Sequence, residues 1–131
     1  MVEQAPSLPY KIHTNFELGL MLRGLKPLAF FSRSLSHESP LLERYLRMFD
    51  RHVEQAHFIR SIREHSLGPD HEAIYYALPG EEWRIDEMHA LHGKASRWVE
   101  SDERREGELL GYEDWQNDIW IERFGHTRFS R

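Results

Sequence analysis

The sequence predicts a small α+β domain, with a sheet of about three strands, one pair of them a hairpin, packed against about four helices. Three observations lead there. The segment from Leu41 to Ala56 repeats its apolar residues with a helical period. Two short runs, Phe58 to Arg63 and Ala73 to Leu78, flank the turn chemistry of Ser66-Leu67-Gly68-Pro69-Asp70, as a hairpin with a longer loop requires. The 131 residues, 40% hydrophobic, 30% charged and 12% aromatic, have the size and composition of one domain that buries a core without metal or disulfide staples.

In chain order, residues 1–13, with Pro6 and Pro9, read as an extended arm. Thr14-Asn15-Phe16-Glu17 has the form of a capping box, and a short helix follows through Arg23 to Gly24. Its apolar residues go nearly all the way round, so it is expected to be buried. Pro27 to Phe31 reads as a strand buried on both faces. Ser39-Pro40 then opens the clearest helix, with a capping side chain before proline at the first helical position. Leu41, Leu42, Tyr45, Leu46, Met48, Phe49, Val53 and Ala56 fall on one side of it, and the charged residues on the other.

Pro79-Gly80 opens a third helix, with Glu81 and Glu82 in its first turn and an apolar stripe of Met88, Leu91, Ala95, Trp98 and Val99. Residues 101–108 read as a charged connector. A last helix runs from about Tyr112 to Phe124, with Trp115 and Ile119 inward, Trp120 towards the edge and Gly125 as its stop. Residues 126–131 read as a frayed tail.

Composition narrows the chemistry. With no cysteine, disulfides, thiolate metal sites and a cysteine nucleophile are excluded. No stretch approaches 18 consecutive apolar residues, and the opening Met1-Val2-Glu3-Gln4-Ala5-Pro6 lacks the regions of a signal peptide, so a cytoplasmic location and no membrane are expected. A net charge of −5 argues against a duplex DNA binder. All but three of the 17 basic residues are Arg, the exceptions being Lys11, Lys26 and Lys94. The Arg44-Arg47-Arg51 stripe carries Asp50 and Glu54 beside it and reads as a solvated helix face.

Nine histidines make metal binding worth weighing. Asp86 and His89 share a helix face, but that face lies opposite the apolar stripe, so His89 is expected to point to solvent and no metal site or other cofactor is expected. His57, His65 and His71 lie at strand ends or in the hairpin loop. His52 is different, because it projects among Tyr45, Phe49, Val53 and Ala56 and is expected to be enclosed there. Gly-rich phosphate loops and nucleophile elbows are absent. Gly111 to Asp118 is distinctive in composition, with Gln116 and Asn117 as polar contacts.

Two function classes follow. One is a small binding or regulatory domain acting through protein–protein contacts, with a protein partner or a second copy. It would use Trp83 and Trp120, which miss the main apolar stripes, together with Arg60. The alternative is a small enzyme with His52 as acid or base, and with Tyr75, Tyr76, Arg60 or Arg84 orienting an anionic substrate.

Overall fold

A computed structural model describes residues 8–64 and 68–129, with side chains as far as Gly125. Residues 1–7 of the expected arm, His65, the loop residues Ser66 and Leu67, and Ser130 and Arg131 of the expected tail lie outside the described residues. The elements are α1 (Glu17–Leu22), β1 (Leu28–Ser34), α2 (Pro40–Glu54), β2 (Ile59–Glu64), β3 (His71–Ala77), α3 (Trp83–His92), α4 (Glu100–Leu110) and α5 (Asp114–Phe129). The α+β class holds, with five helices around a three-stranded antiparallel sheet ordered β1-β3-β2.

β3 is the central strand, and residues 72–77 are all buried. Alternation along a strand sends neighbours to opposite faces, so it feeds two separate cores. Ala29, Ile74 and Tyr76 join Met21, Leu46, Phe49 and Phe58 on the side of α1 and α2. Leu28, Ala73, Tyr75 and Ala77 join Ile85, Met88 and Leu109 on the side of α3 and α4. The register Leu28↔Ala77, Ala29↔Tyr76, Phe30↔Tyr75 keeps the two sets apart. α5 packs on α4.

The α2 start is as read: the Ser39 side chain accepts the Leu42 amide and Pro40 follows. Leu41, however, is 81% exposed, because the first turn lies ahead of the core.

Several readings need correction. The capping box before α1 does not form. Asn15 takes a left-handed conformation, φ 74°, which puts Thr14 outside the helix, and Glu17 instead accepts from the Tyr45 hydroxyl at 3.0 Å. α1 is only six residues long and buries Met21 alone, leaving Phe16 and Leu22 exposed.

α3 stops at His92, so Ala95, Trp98 and Val99 do not belong to it. The stretch read as a charged connector is α4. Its first turn is closed by the Asp102 carboxylate, which accepts the Val99 amide at 2.8 Å and pairs with Lys94. α5 continues through Gly125, which is buried, and turns Trp115 outward, where its indole donates to Glu113 at 2.7 Å.

Gly111 ends α4 in a left-handed conformation, φ 96°, and a Cβ there would lie 2.5 Å from Pro27 Cδ. Both the conformation and the close approach demand glycine. Gly111→Ala is expected to destabilise the fold by about 2–4 kcal/mol, the sum of a left-handed penalty and local overpacking, as read from the midpoint of urea denaturation.

Candidate functional site

The site grows from the face of α4 that carries Glu103, Glu106, Gly107 and Leu110, spaced as one helical stripe. α5 lies across it and contributes Asn117 and Trp120, again a turn apart. The two helices come close because position 107 is glycine; a Cβ there would overlap Asn117 Oδ1. The left-handed turn at Gly111 brings Tyr112 back over the stripe, with its amide donating to Gly107 O at 2.9 Å.

The arm closes the remaining side with Tyr10, Ile12 and Thr14. It is fixed by the Tyr10 hydroxyl donating to Gln116 O at 3.0 Å and by the His13 amide donating to the Tyr112 hydroxyl at 2.7 Å. The His13 and Tyr112 rings stack at 3.7 Å and 8°, while Tyr10 meets Trp115 edge-on at 5.5 Å. Together these residues enclose a cavity of about 190 Å³.

Two carboxylates face this space. Glu103, 4% exposed, accepts from the Trp98 indole at 2.8 Å through one oxygen and from the Trp120 indole at 2.6 Å through the other. Glu106 lies 2.7 Å from His92 Nε2. The other ring nitrogen, His92 Nδ1, is buried without a hydrogen-bond partner among the described residues. Each carboxylate is therefore held in place by ring nitrogens, Glu103 by two indoles and Glu106 by His92.

Behind Tyr112 sits Lys26, 2% exposed, with Nζ 2.8 Å from both Leu110 O and His13 Nδ1. Burial pushes its ammonium down to about 7, against the opposing pull of Glu17. Burial, and then the neighbouring Lys26, push His13 down to about 4, so its Nδ1 is the acceptor of that contact. Burial likewise raises the Tyr112 and Tyr10 phenols.

The residues singled out from sequence are dispersed. His52 is half-buried rather than enclosed. α2 stops two residues later, and the left-handed Ala56, φ 62°, folds His57 and Phe58 back against it, with His57 Nδ1 at 3.0 Å from His52 Nδ1. Tyr76 donates to Asp50 at 2.8 Å, and Asp50 also holds Arg60 at 2.8 Å, both on the α2 side of the sheet. Tyr75 is on the other side, with Phe30 and His89. Arg84 is there too, donating to Glu108 O at 3.0 Å and Leu109 O at 3.2 Å. The sheet thus stands between His52 and Arg84, and between the two tyrosines.

Trp83 and Trp120 do not share a patch. Trp83, 46% exposed, lies against the guanidinium of Arg84 at 4.6 Å and that of Arg105 at 6.0 Å. Trp120 is inward, on the opposite face of α4, bonded to Glu103 and packed on Phe124. His89 does not face solvent: its Nδ1 is buried and its ring meets Tyr75 edge-on, with burial, and then Arg63, lowering its pKa. Asp86 pairs with Arg63 at 2.7 Å. Among the described residues no three His, Asp or Glu groups are placed to hold a metal ion, and no helix is long and apolar enough to cross a membrane.

Of the residues that build the cavity, the sequence reading had singled out Trp120, though for a protein contact, and Asn117 within the odd composition of residues 111–118; the others escaped it. The signal for the rest was weak. Glu103 and Glu106 sit in a run that looks solvated, and only the excess of tryptophans, each needing an indole acceptor when buried, pointed to an enclosed carboxylate. No protein-family model matches the chain, nor does any curated protein or solved structure.

The Lys26–His13 contact has a pH signature. Lys26 falls from 10.5 to about 7 on folding, so between those values the unfolded chain holds a proton that the folded chain has released. Stability therefore rises with pH above 7. His13, lowered from 6.5 to about 4, adds a rise between about 4 and 6.5. The urea midpoint of the wild type is expected to climb from pH 7 to pH 9, and Lys26→Met to climb less; equal slopes would remove Lys26 as the cause.

Proposed function

We propose that this is a binding domain that holds a small organic cation, an ammonium or guanidinium of metabolite size, in the cavity beneath its arm. The observation that carries the reading is the lining itself. Two carboxylates, Glu103 and Glu106, and three aromatic rings, Tyr10, Tyr112 and Trp120, face the space, and among the described residues no Lys, Arg or His lines it. Aromatic faces attract a desolvated cation, and an oriented carboxylate adds a charge-assisted hydrogen bond.

The indole donors that hold Glu103 supply preorganisation, so little side-chain freedom is lost on binding. The volume of about 190 Å³ corresponds to roughly six waters at about 30 Å³ each, which suits a ligand of choline size and excludes a nucleotide. Tyr10, Ile12 and Thr14 come from the arm, so a bound ligand touches it and occupancy is coupled to arm position. That coupling makes the domain regulatory in character. A protein partner contacting Trp83, which stays half-exposed between two arginines, is compatible with this reading.

Choline and its uncharged carbon isostere, 3,3-dimethylbutanol, separate charge from shape. Followed by tryptophan fluorescence and amide NMR shifts at Tyr112 and Trp120, choline or methylguanidinium is expected to bind at least tenfold more tightly than the neutral isostere. Glu106→Gln is expected to weaken the cation about tenfold, the scale of one charge-assisted hydrogen bond, and leave the isostere unchanged. Equal binding of cation and isostere, or no shift with either cation at about 10 mM, near the weak end of specific affinities, would end the proposal.

A further inference from the structure

β1 is an edge strand, with β3 on one side of it and no described strand on the other. The ladder shows which of its backbone groups face outward. At its two ends the Leu78 amide donates to Pro27 O and the Leu35 amide to Asp70 O. Antiparallel pairing serves every second residue, so Ala29, Phe31 and Arg33 bond to β3 between those ends. Phe30 and Ser32 alternate with them and turn N–H and C=O to the open edge, without a backbone partner among the described residues.

Beside that edge runs a groove of about 700 Å³, against about 190 Å³ for the cation cavity. Phe30, Phe31 and Ser32 form one wall, and Leu41, Arg44 and Met48 of α2 another. The three α2 residues follow at helical spacing and are all exposed, Met48 at 41%. Arg47 and Arg51 extend the same solvent side of α2, and none of the three guanidinium groups has an ion pair among the described residues. The acids of the helix are committed elsewhere or distant. Asp50 is held by Tyr76 and Arg60, and Glu43 by Arg33. Glu54 lies about 15 Å further along the helix than Arg44, at about 1.5 Å per residue. Glu17, on the α1 wall of the groove, accepts from the Tyr45 hydroxyl. In a chain of net charge −5, this face is left cationic.

We propose that this edge takes an extended peptide of a partner protein, one that carries an acidic residue among apolar ones. The peptide adds to β1 as a fourth strand. Its backbone pairs with Phe30 and Ser32, its apolar side chains meet Leu41 and Met48, and its carboxylate meets the Arg44 guanidinium. The backbone row selects a peptide over a lipid. A hydrocarbon chain would fill the groove but cover the outward N–H and C=O groups without pairing them, which costs free energy. The surface shares only Thr14 with the cation cavity and does not rest on that reading.

The probe is a displayed library of random peptides of about seven residues, the length of a strand, selected on the wild type. Enriched sequences are expected to carry Asp or Glu between β-branched or aromatic residues and to lack proline at their centre. The most enriched peptide, made synthetically, is expected to slow amide exchange at Phe30 and Ser32. Arg44→Glu, on an exposed helix face, is expected to bind it at least about tenfold more weakly. Ser32→Pro removes an outward N–H that the ladder does not use, so it is expected to fold and to lose the peptide. Circular dichroism checks the fold of both variants, and Arg44→Glu decides alone if Ser32→Pro does not fold. No enrichment, enrichment without acids, exchange unchanged at Phe30 and Ser32, or full binding by either folded variant would each overturn the proposal. So would displacement of the peptide by dodecanoate or phosphatidylglycerol vesicles at lower concentration than the peptide itself requires. A wild-type dimer in sedimentation velocity that Ser32→Pro dissolves would assign the edge to a second copy instead.

Discussion

The C-terminal end of α4 holds the molecule together. Carbonyls of its last turn are taken there by two cations: the buried Lys26 serves Leu110, and the partly buried Arg84 serves Glu108 and Leu109. Lys26 comes from the turn before β1 and Arg84 from α3, so the same contacts fix α4 to the sheet on one side and to α3 on the other. Pro27 sits against the glycine turn that follows, which leaves Lys26 no room to shift. Through its second contact, to His13, Lys26 also carries the arm. The cavity wall made by Tyr10 and Ile12 is thereby tied to the same helix end, alongside its own contacts to Tyr112 and Gln116.

Two kinds of packing coexist. On either face of the sheet the contacts are apolar and aromatic, with Phe49 stacked on Tyr76 at 4.7 Å and Tyr75 tilted against Phe30 at 5.3 Å. Between α4 and α5 they are polar. Glu103 and Asn117 are buried there, and the Trp120 indole donates to the Glu103 carboxylate. Such an interface contributes little net stability after desolvation, but each donor must meet its acceptor, so it admits few alternative arrangements. A ligand cavity lined by that interface inherits the same definition of geometry.

The same division explains what was legible in the sequence. The strands and α2 follow the binary pattern, because their inward residues are apolar: Phe49 and Leu46 announce the face of α2, and the run from Ala73 to Leu78 announces a strand. α4 does not follow it. Its inward residues include Asp102 and Glu103, so a helix that is buried reads as a solvated connector. Trp98 was assigned to the preceding helix because its spacing from Met88 and Leu91 fits a stripe, whereas its indole turns forward to Glu103. Trp115 and Trp120 were exchanged for a related reason. Spacing cannot tell which of two faces of α5 meets a neighbour when the neighbour offers a carboxylate rather than a hydrophobic groove. Tyr10 and His13 lie in a stretch with no period at all, and their roles depend on residues about a hundred positions away.

That last separation bears on how the chain is born. The contacts that close the cavity, Tyr10 with Gln116 and His13 with Tyr112, span 106 and 99 residues. The hairpin and α2 lie far earlier in the chain and fold against each other through local pairings, whereas loop-closure entropy delays contacts of such long range. On a ribosome the arm emerges well before the helices it needs, and it is late to find its place. It waits for α4 and the start of α5 while the sheet assembles without it, and the cavity comes into being only once those helices have been made.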